Sequence, residues 1–551
     1  MCSSRRRMVR LVDWTTFVLV FAHSLCDAIG ATGELTLRVV DNKGQPQAFR
    51  AWVDQDNQRL PPPSLPETVT PYPRDKSFSC DGEFTLKAPE GAVIVHLEKG
   101  KAWLPQDLRL SIVGDQKTEK TVVLKRWINL RERGYLSADL HIHFGNNNPR
   151  ILAQLAAADD LDLIPAFSVW LRGTESEWNR TWPQWKSGAS YQTAEGAFVS
   201  RNNLEIERIF SSAPPGGSVG ASFLYNLRLP VSVSRFDTRY PTDTDLCLLA
   251  RAISPEVVID TDKPSWAETA VGAILGVYDT VQVCHNHYHR AQTIPGGWGM
   301  IGPLSETERS LRAPNELFRR TNAHYYAFLN CGIRLGVSGG SAIGVMPVPA
   351  GYNRVYARVD RPFTAQKFWQ ALRKGRSFAT SGPMLFLEIA GHRPGDTLPY
   401  QSGAQESIPI SVELQSIEPI HSIEIVHHGK VIRQLSLKSL SANPVLKSEF
   451  TFHHVPTRSG WYAARAIYES PPGQLRQAHT SPVYISVDRK PTASKTDASY
   501  LVRWIDQLTT LAQQPERFQS PSDRDEVLAT YRRARAAYQR IADQAGMVWG
   551  D

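Results

Sequence analysis

A strand–helix–strand pattern between residues 136 and 165 is the feature that most restricts the fold of this chain. Residues 136–144 are typical of a β-strand, and Asn148-Pro149 supplies an N-cap with proline at the first helical position. Residues 161–165 then return to a strand pattern. Between the two strands, apolar residues recur at helical spacing: Ile151, Leu152, Leu155 and Ala158. The pattern predicts a β-α-β unit.

The same alternation continues further along the chain. Later strands are predicted at 257–260, 281–285 and 333–337. Repeated β-α units favour a parallel sheet or a barrel. We therefore expect residues 126–390 to form a central domain.

The segments on both sides of this domain have different patterns. Residues 33–125 and 400–488 alternate apolar and polar positions between Gly- and Pro-rich turns, which predicts two β-sandwiches. Residues 497–545 have apolar positions at helical spacing and predict a helical tail. A chain of 551 residues is long enough for such a multidomain arrangement.

The first 28 residues are typical of a secretory signal peptide. Arg5-Arg6-Arg7 precede a short apolar stretch at 14–25, and Cys26-Asp27-Ala28 offers a cleavage site. The apolar stretch is short for a membrane span, although an uncleaved anchor remains an alternative. No later segment has the length and hydrophobicity of a membrane span. We expect an exported protein, periplasmic or extracellular, with no membrane span after signal removal.

Charge and cysteine content limit the function classes further. The formal net charge is +8, but no dense run of Lys or Arg occurs outside the first ten residues, which argues against nucleic-acid binding. After the signal segment the cysteines are scattered, which favours buried free thiols and leaves a disulfide open. They are Cys80, Cys247, Cys284 and Cys331.

Two histidine clusters lie in the central domain. The first is Asp139-Leu140-His141-Ile142-His143 and the second is His285-Asn286-His287-Tyr288-His289. Because alternate side chains of a strand point to the same side, the two histidines of each His-x-His can share one metal ion. Neutral imidazoles suit zinc, iron(II) or manganese. The alternative is that these histidines serve as core or hydrogen-bonding residues.

Carboxylates and polar residues complete the candidate site. Glu205, Glu207, Asp260 and Asp262 are candidate acidic ligands, and helix caps or surface charges are the alternative for each. Lys263, Arg354 and Asn226 are candidate substrate-binding residues. A structural salt bridge is the alternative for Lys263 and Arg354.

The central domain resembles the PHP (polymerase and histidinol phosphatase) superfamily, and within it the CehA/McbA-type metallohydrolase-like branch. Residues 134–143 are similar to the first motif of that superfamily. The resemblance covers about 126–390 and includes further stretches: 259–264, Asn286-His287, 351–354 and 375–383.

The resemblance implies a central PHP-like irregular β/α barrel, flanked here by the two β-sandwich domains and the helical tail. It also implies a metal cluster at the carboxyl ends of the barrel strands. By position, His141 and His143 would be ligands, with His287 or His285 as a later ligand, and Glu207 matches an acidic family position. The predicted metal set is thus His141, His143, Glu207, Asp262, His285 and His287.

One segment departs from the family pattern. Catalytic PHP domains usually end with Asp-x-His on a late strand, and residues 336–342 contain neither residue. Two functions are therefore kept. The first is an exported metal-dependent hydrolase acting on an ester, amide or phosphoester in a small molecule or polymer. The second is a non-catalytic exported binding protein with a degenerate pocket and glycan- or surface-binding sandwiches.

Overall fold

A computed structural model describes residues 31–549, apart from 65–66, 73, 146–147, 168, 172–189, 209–218, 232, 238, 291–292, 295–314, 438–444, 471–472 and 515–516. The predicted signal peptide, residues 1–28, lies outside this described part. The chain is multidomain and rich in β-sheet, and it ends in two long helices.

The N-terminal segment consists of β-strands. They form two sheets, in the orders β6-β1-β9 and β4-β5-β2-β7-β8, with β3 beside β2. Alternate apolar residues of both sheets enclose one core, which explains the alternating pattern of this segment. The strands are β1 (Thr32–Val40), β2 (Phe49–Gln55), β3 (Gln58–Arg59), β4 (Val69–Pro71), β5 (Phe78–Cys80), β6 (Glu83–Pro89), β7 (Gly91–Glu98), β8 (Gln106–Ile112) and β9 (Lys117–Val123).

The central segment alternates strands and helices. Its elements are β10 (Tyr135–Ala138), α1 (Pro149–Ala158), β11 (Leu163–Pro165), β12 (Val169–Leu171), β13 (Tyr191–Gln192), β14 (Phe198–Ser200), β15 (Leu204–Arg208), β16 (Gly220–Tyr225), α2 (Asp243–Ile253), β17 (Val258–Thr261), α3 (Thr269–Ile274), β18 (Thr280–Cys284), α4 (Glu316–Asn330), β19 (Gly336–Gly339), β20 (Arg354–Arg358), α5 (Ala365–Arg373) and β21 (Ser377–Thr380).

The start of α1 confirms the sequence prediction for that helix. Asn148 caps it by accepting hydrogen bonds from the amides of Arg150 and Ile151, and proline occupies the first turn. The cap fixes the point at which the chain leaves the strand region and turns back across the sheet.

A six-stranded sheet in the order β12-β15-β16-β17-β18-β19 carries most of the candidate residues. Strands β17, β18 and β19 are parallel, whereas β16 is antiparallel to both of its neighbours, β15 and β17. The end of β10 approaches this sheet at β19, because the amide of Leu140 donates to the carbonyl of Gly339 at 3.1 Å. The residues that follow β10 and β17 therefore come close together.

The central segment contains a second sheet, which includes β10, β20 and β21 and continues into the C-terminal segment. Strand β21 pairs with β29, so one sheet runs across the predicted boundary between 126–390 and 400–488. The elements are β22 (Met384–Ile389), β23 (Thr397–Tyr400), β24 (Ile408–Ser416), β25 (Ser422–His427), β26 (Lys430–Ser436), β27 (Leu446–His454), β28 (Gly460–Ser470), β29 (Gln474–Thr480), β30 (Val483–Val487), α6 (Lys495–Ala512) and α7 (Pro521–Trp549).

Helices α6 and α7 pack against the central segment. Trp504 donates to the carbonyl of Ala267 at 2.9 Å, and Tyr538 donates to the carbonyl of Ala270 at 2.8 Å. Trp504 and Tyr538 belong to the same apolar core as the central strands. Within the described residues, no helix combines the length and the hydrophobicity needed to cross a membrane.

Candidate metal centre

Three buried side chains converge just beyond the end of β10. The Nε2 atoms of His141 and His143 lie 2.9 Å apart. Glu205 of β15 lies beside both rings, with Oε2 at 3.2 Å from His143 Nε2 and Oε1 at 3.6 Å from His141 Nε2. One ligand atom from each residue falls within 4.8 Å of the others, so the three residues could hold a metal ion.

The position of the histidines follows from the local backbone. Strand β10 ends at Ala138, and Ile142 forms a parallel bridge with Ile343, so the chain remains extended from residue 141 to residue 143. Extended backbone places alternate side chains on one side, which brings both imidazoles toward Glu205.

Aromatic rings surround the cluster. The ring centres of Phe223 and His141 are 4.6 Å apart, and those of Trp170 and His143 are 4.2 Å apart. Phe167 lies beside both histidines. An apolar wall lowers the local dielectric constant, which strengthens the electrostatic interactions among the enclosed groups.

Charge coupling is strong inside this wall. Burial alone would lower the pKa of His141, but the carboxylates of Glu205 and Asp262 outweigh it and raise that pKa to about 10. Burial raises the pKa of Glu205, and the neighbouring His141 opposes that rise. The buried carboxylates of Glu205 and Asp262 therefore stabilise a positive charge at this site, which either a proton or a metal ion can supply.

Asp262, predicted as a metal ligand, lies on the other side of the His141 ring. Its Oδ1 is 3.6 Å from His141 Nδ1, the nitrogen that faces away from His143. Its Oδ2 accepts hydrogen bonds from the ammonium of Lys263 and from Trp266 Nε1. Burial would raise the pKa of Asp262, but Lys263 and His141 hold it well below its usual range. Asp262 therefore faces the opposite side of the His141 ring from His143 and Glu205, and its assignment as a ligand stays a prediction.

Asp260 is engaged by three neutral side chains. Its carboxylate accepts hydrogen bonds from Thr280 Oγ1 at 2.8 Å, Ser338 Oγ at 2.7 Å and Gln282 Nε2 at 3.1 Å. Burial raises the pKa of Asp260 to about 7, against the effect of these donors. Asp260 therefore connects β17, β18 and β19 rather than joining the cluster.

The second histidine cluster is arranged differently from the prediction. Strand β18 ends at Cys284, and the chain turns at residues 286–287, so His285 and His287 do not alternate along one strand. His285 Nε2 lies 3.1 Å from Thr321 Oγ1, and its Nδ1 accepts from the amide of His287 at 3.3 Å. Both nitrogens of His285 are thus engaged within the fold, and its assignment as a ligand stays a prediction.

His287 lies near the cluster without belonging to the three converging residues. Its side chain is buried, and burial, followed by the charge of Lys263, lowers the pKa of His287 to about 3. The charges of Asp262 and His141 also act on this ring. His287 is therefore a neutral imidazole in the neighbourhood of His141.

Glu207 was predicted from the resemblance, but Glu205 joins the cluster instead. Both residues point to the same side of β15 because they are two positions apart. Glu207 Oε2 accepts a hydrogen bond from Trp170 Nε1 at 2.8 Å. Trp170 in turn packs against His143, so Glu207 contacts the aromatic wall. Of the candidate carboxylates, Glu205 is the one that joins the two histidines, and ligation by Glu207 stays a prediction.

Lys263 and Arg354, predicted as substrate-binding residues, have structural roles. Lys263 is 5% exposed and pairs with Asp262. Arg354 is fully buried and donates to three backbone carbonyls, those of Asp159, Asp160 and Gly351. Each cation already has partners within the fold, and substrate binding by either residue stays a prediction.

Asn226 lies at the opposite end of the sheet. It follows Tyr225, which pairs with Val258 at the start of β17, because β16 runs antiparallel to that strand. Its side chain donates to Gln366 of α5 at 3.3 Å. The direction of β16 thus separates Asn226 from the three converging residues, and its role in substrate binding stays a prediction.

Sequence reasoning did not single out Trp170 or Gly340, which also shape the site. A Cβ atom on Gly340 would lie 2.5 Å from His141 Cβ, so only glycine fits there without displacing the histidine. The available signal was the run Ser338-Gly339-Gly340, three small residues in succession. Small residues in that run leave room for the end of β10.

Comparisons with known proteins identify no family for this chain. No family model matches it, and no curated protein matches it. Among solved structures, a minor pilin of Streptococcus agalactiae, GBS52, is similar over 18% of this chain and 47% of the pilin, with 19% identity and a TM-score of 0.15. The match spans less than half of the pilin, and so low a TM-score supports no conclusion about fold or function.

Proposed function

We propose that this protein is an exported, metal-dependent hydrolase whose metal ion is held by His141, His143 and Glu205. The observation that supports this most is the 2.9 Å separation of the two Nε2 atoms beside the Glu205 carboxylate. Two histidines and one glutamate form a ligand set that recurs in catalytic zinc sites, where a fourth position stays open. Zinc, manganese and iron(II) are all compatible with these donors.

Buried nitrogen and oxygen atoms without hydrogen-bond partners also favour a bound cation at this site. Within the described residues, His141 Nδ1, Glu205 Oε2 and Asp262 Oδ1 are buried and have no hydrogen-bond partner. Asp262 Oδ1 faces His141 Nδ1, which is the arrangement of a carboxylate–histidine–metal triad. In that triad the carboxylate fixes the ring orientation and makes the imidazole more basic.

A divalent ion at this site would supply a Lewis acid and lower the pKa of a coordinated water toward neutrality. The chain itself supplies the environment for this chemistry. Phe223 and Phe167 exclude solvent from the His141 side. Lys263 neutralises the outer oxygen of Asp262, so the net charge near the ion stays moderate. Esters, amides and phosphoesters are the proposed substrates, in small molecules or polymers.

Membership of the PHP superfamily, in its CehA/McbA-like branch, is part of the same proposal. The resemblance of residues 134–143 supports it. The repeated strand–helix order of the central segment, and the hydrogen bond from Leu140, just beyond β10, to Gly339 of β19, are compatible with the proposed irregular β/α barrel. Export rests on the pattern of residues 1–28 alone.

A second candidate function is a non-catalytic binding protein. The segment that should carry Asp-x-His instead uses Ser338 to bond Asp260 and Gly340 to contact His141. A pocket built in this way can keep a structural metal ion and lose turnover. The flanking sandwiches would then bind glycans or other surface material.

Metal analysis joined to an activity panel separates the two candidates. We expect the wild-type protein to bind one equivalent of zinc or manganese and His141→Ala or Glu205→Gln to bind little. His324→Ala is the matched control, because His324 is also buried but bonds to Tyr500. Metal-dependent hydrolysis of ester, amide or phosphoester substrates would support the enzyme. Stoichiometric metal without turnover would support the binding protein, and a metal-free wild type would exclude both metal-binding forms.

A further inference from the structure

Asp139 holds three separate segments of the chain together. Its carboxylate is fully buried, and Oδ1 accepts hydrogen bonds from the amides of His141 at 3.0 Å and Ser341 at 2.9 Å. Oδ2 accepts from the amide of Gly351 at 2.7 Å. One side chain thus fixes the backbone at His141 relative to both ends of the connection between β19 and β20.

Asn353 performs the same kind of task for the turn after β18. Its Nδ2 donates to the carbonyl of His285 at 3.1 Å and to that of Tyr288 at 3.0 Å. These two acceptors bracket His287. Because Asn353 is fully buried, water cannot replace its hydrogen bonds without a rearrangement of the turn.

Ser341 joins the two residues. Its hydroxyl donates to the carbonyl of Asn353 at 3.2 Å and accepts from the amide of Asn353 at 3.0 Å. Its own amide donates to Asp139. The chain of bonds Asp139–Ser341–Asn353 therefore runs from the His141 segment to the His287 turn.

We propose that Asp139, Ser341 and Asn353 are positioning residues that hold the two histidine segments at a fixed separation around the metal site. The inference rests on the proposed function, because it concerns the same site. Residues 338–341, which lack the Asp and His of catalytic relatives, provide positioning in their place. The turn carries His287, which stays a predicted ligand beside His141. Metal ligation tolerates displacements of only about 0.5 Å, so loosening either segment weakens binding.

Zinc affinity of substituted proteins tests this proposal. Asp139→Asn keeps the shape of the side chain but presents a donor to one of the amides, and Asn353→Ala removes both donors to the turn. We expect each substitution to weaken zinc binding about 10–100-fold, as loss of an orienting partner does at other metal sites. A competition titration against a chromophoric chelator measures the affinity.

Matched controls separate positioning from a general loss of stability. Asn330 is also buried and bonded at both ends of its amide, to Asp497 and Trp461, but lies away from the site. Asp279 accepts from the amide of Ile259 at 3.0 Å, at the other end of β18. Asn330→Ala and Asp279→Asn should lower the melting temperature while leaving zinc affinity within about twofold.

Two results would count against the proposal. One is wild-type zinc affinity in both Asp139→Asn and Asn353→Ala; the other is an equal loss of affinity in the two controls. If either variant fails to fold, Ser341→Ala, which removes only one hydroxyl, takes its place with the same expectation. The visible spectrum of the cobalt(II)-substituted protein should also change in the positioning variants and stay unchanged in the controls. A wild type that binds no zinc would instead overturn the proposed function.

Discussion

At the scale of single residues, the polar side chains around His141 differ in which ring nitrogen they face. Glu205 and His143 face Nε2, whereas Asp262 faces Nδ1. A sequence pattern identifies His141 and His143 because alternation along extended backbone is local. It does not identify which carboxylate reaches which nitrogen, because Glu205, Glu207 and Asp262 are brought there by strand pairing.

Replacement of Asp262 by asparagine should weaken metal binding without abolishing it. The amide can still contact His141 Nδ1, but it lacks the charge that raises the basicity of the ring. We expect an affinity about 10–100-fold lower, measured by chelator competition. Asp243→Asn is the control, because it also breaks a buried ion pair, with Arg208. An unchanged affinity for Asp262→Asn, or an equal loss in the control, would contradict this role.

Gly340 should tolerate no side chain. A Cβ atom there would lie 2.5 Å from His141 Cβ and 2.9 Å from its backbone nitrogen, and neither atom can move freely. We expect Gly340→Ala to destabilise the fold by about 1–3 kcal/mol and to reduce metal content. Chemical denaturation and metal analysis measure the two effects.

Gly403→Ala is the control for this substitution, because the added methyl group meets no atom within 4 Å. It should leave both the unfolding free energy and the metal content close to wild type. A Gly340→Ala protein as stable and as metal-rich as this control would show that the close approach is unimportant.

At the scale of elements, local sequence signals located several strands and helices to within a few residues. The strand predicted at 257–260 is observed at Val258–Thr261, and the Asn148 cap starts α1 as predicted. The direction of β16 was not predictable, because the segment has no pattern that distinguishes a parallel from an antiparallel neighbour. Because of that direction, Asn226 lies at the end of β16 away from the three converging residues.

The docking of α7 should depend on pH through Glu268. The hydroxyl of Tyr531, on α7, donates a hydrogen bond to Glu268 Oε1 at 2.7 Å, and the backbone amide of Asp243 donates one to Glu268 Oε2. Burial, followed by the nearby charge of Asp243, raises the pKa of Glu268 to about 7 from 4.5. The folded state therefore binds the proton of the Glu268 carboxyl group more tightly than the unfolded state does. The contribution of protonated Glu268 to the unfolding free energy is greatest below about pH 4.5 and declines as the pH rises through about 7.

Denaturation curves measured between pH 4.5 and 8 test this dependence. Glu268→Gln removes the titrating group and should flatten the decline in unfolding free energy over that range. Asp543→Asn, on the exposed face of α7, should leave the decline as it is. Identical pH profiles for wild type and Glu268→Gln would contradict the role of Glu268.

At the scale of the whole molecule, the segments that appear separate in the sequence share structure. The β21–β29 pairing carries one sheet into the C-terminal segment, and Trp504 of α6 packs into the central core. Composition and periodicity describe each segment alone, so they predicted a tail and a sandwich but not this shared core. The helices share a core with β15, the strand that carries Glu205, and so contribute to its stability.

Removal of the Trp504 side chain should therefore destabilise the central segment. The indole is fully buried and donates to Ala267, in the segment that follows Asp262. We expect Trp504→Ala to cost about 3–5 kcal/mol. The midpoints of urea unfolding measured by fluorescence and by metal release should both move to lower urea concentration, and by the same amount. A shift in fluorescence alone would show that the tail folds independently of the site.

The central claim is that His141, His143 and Glu205 bind one metal ion. The most direct measurement is the anomalous diffraction of crystals grown with zinc and recorded on both sides of the zinc absorption edge. We predict one strong peak about 2.0–2.2 Å from His141 Nε2, His143 Nε2 and a Glu205 oxygen. A fully zinc-exposed crystal with no peak at this position, or with zinc bound only elsewhere, would contradict it.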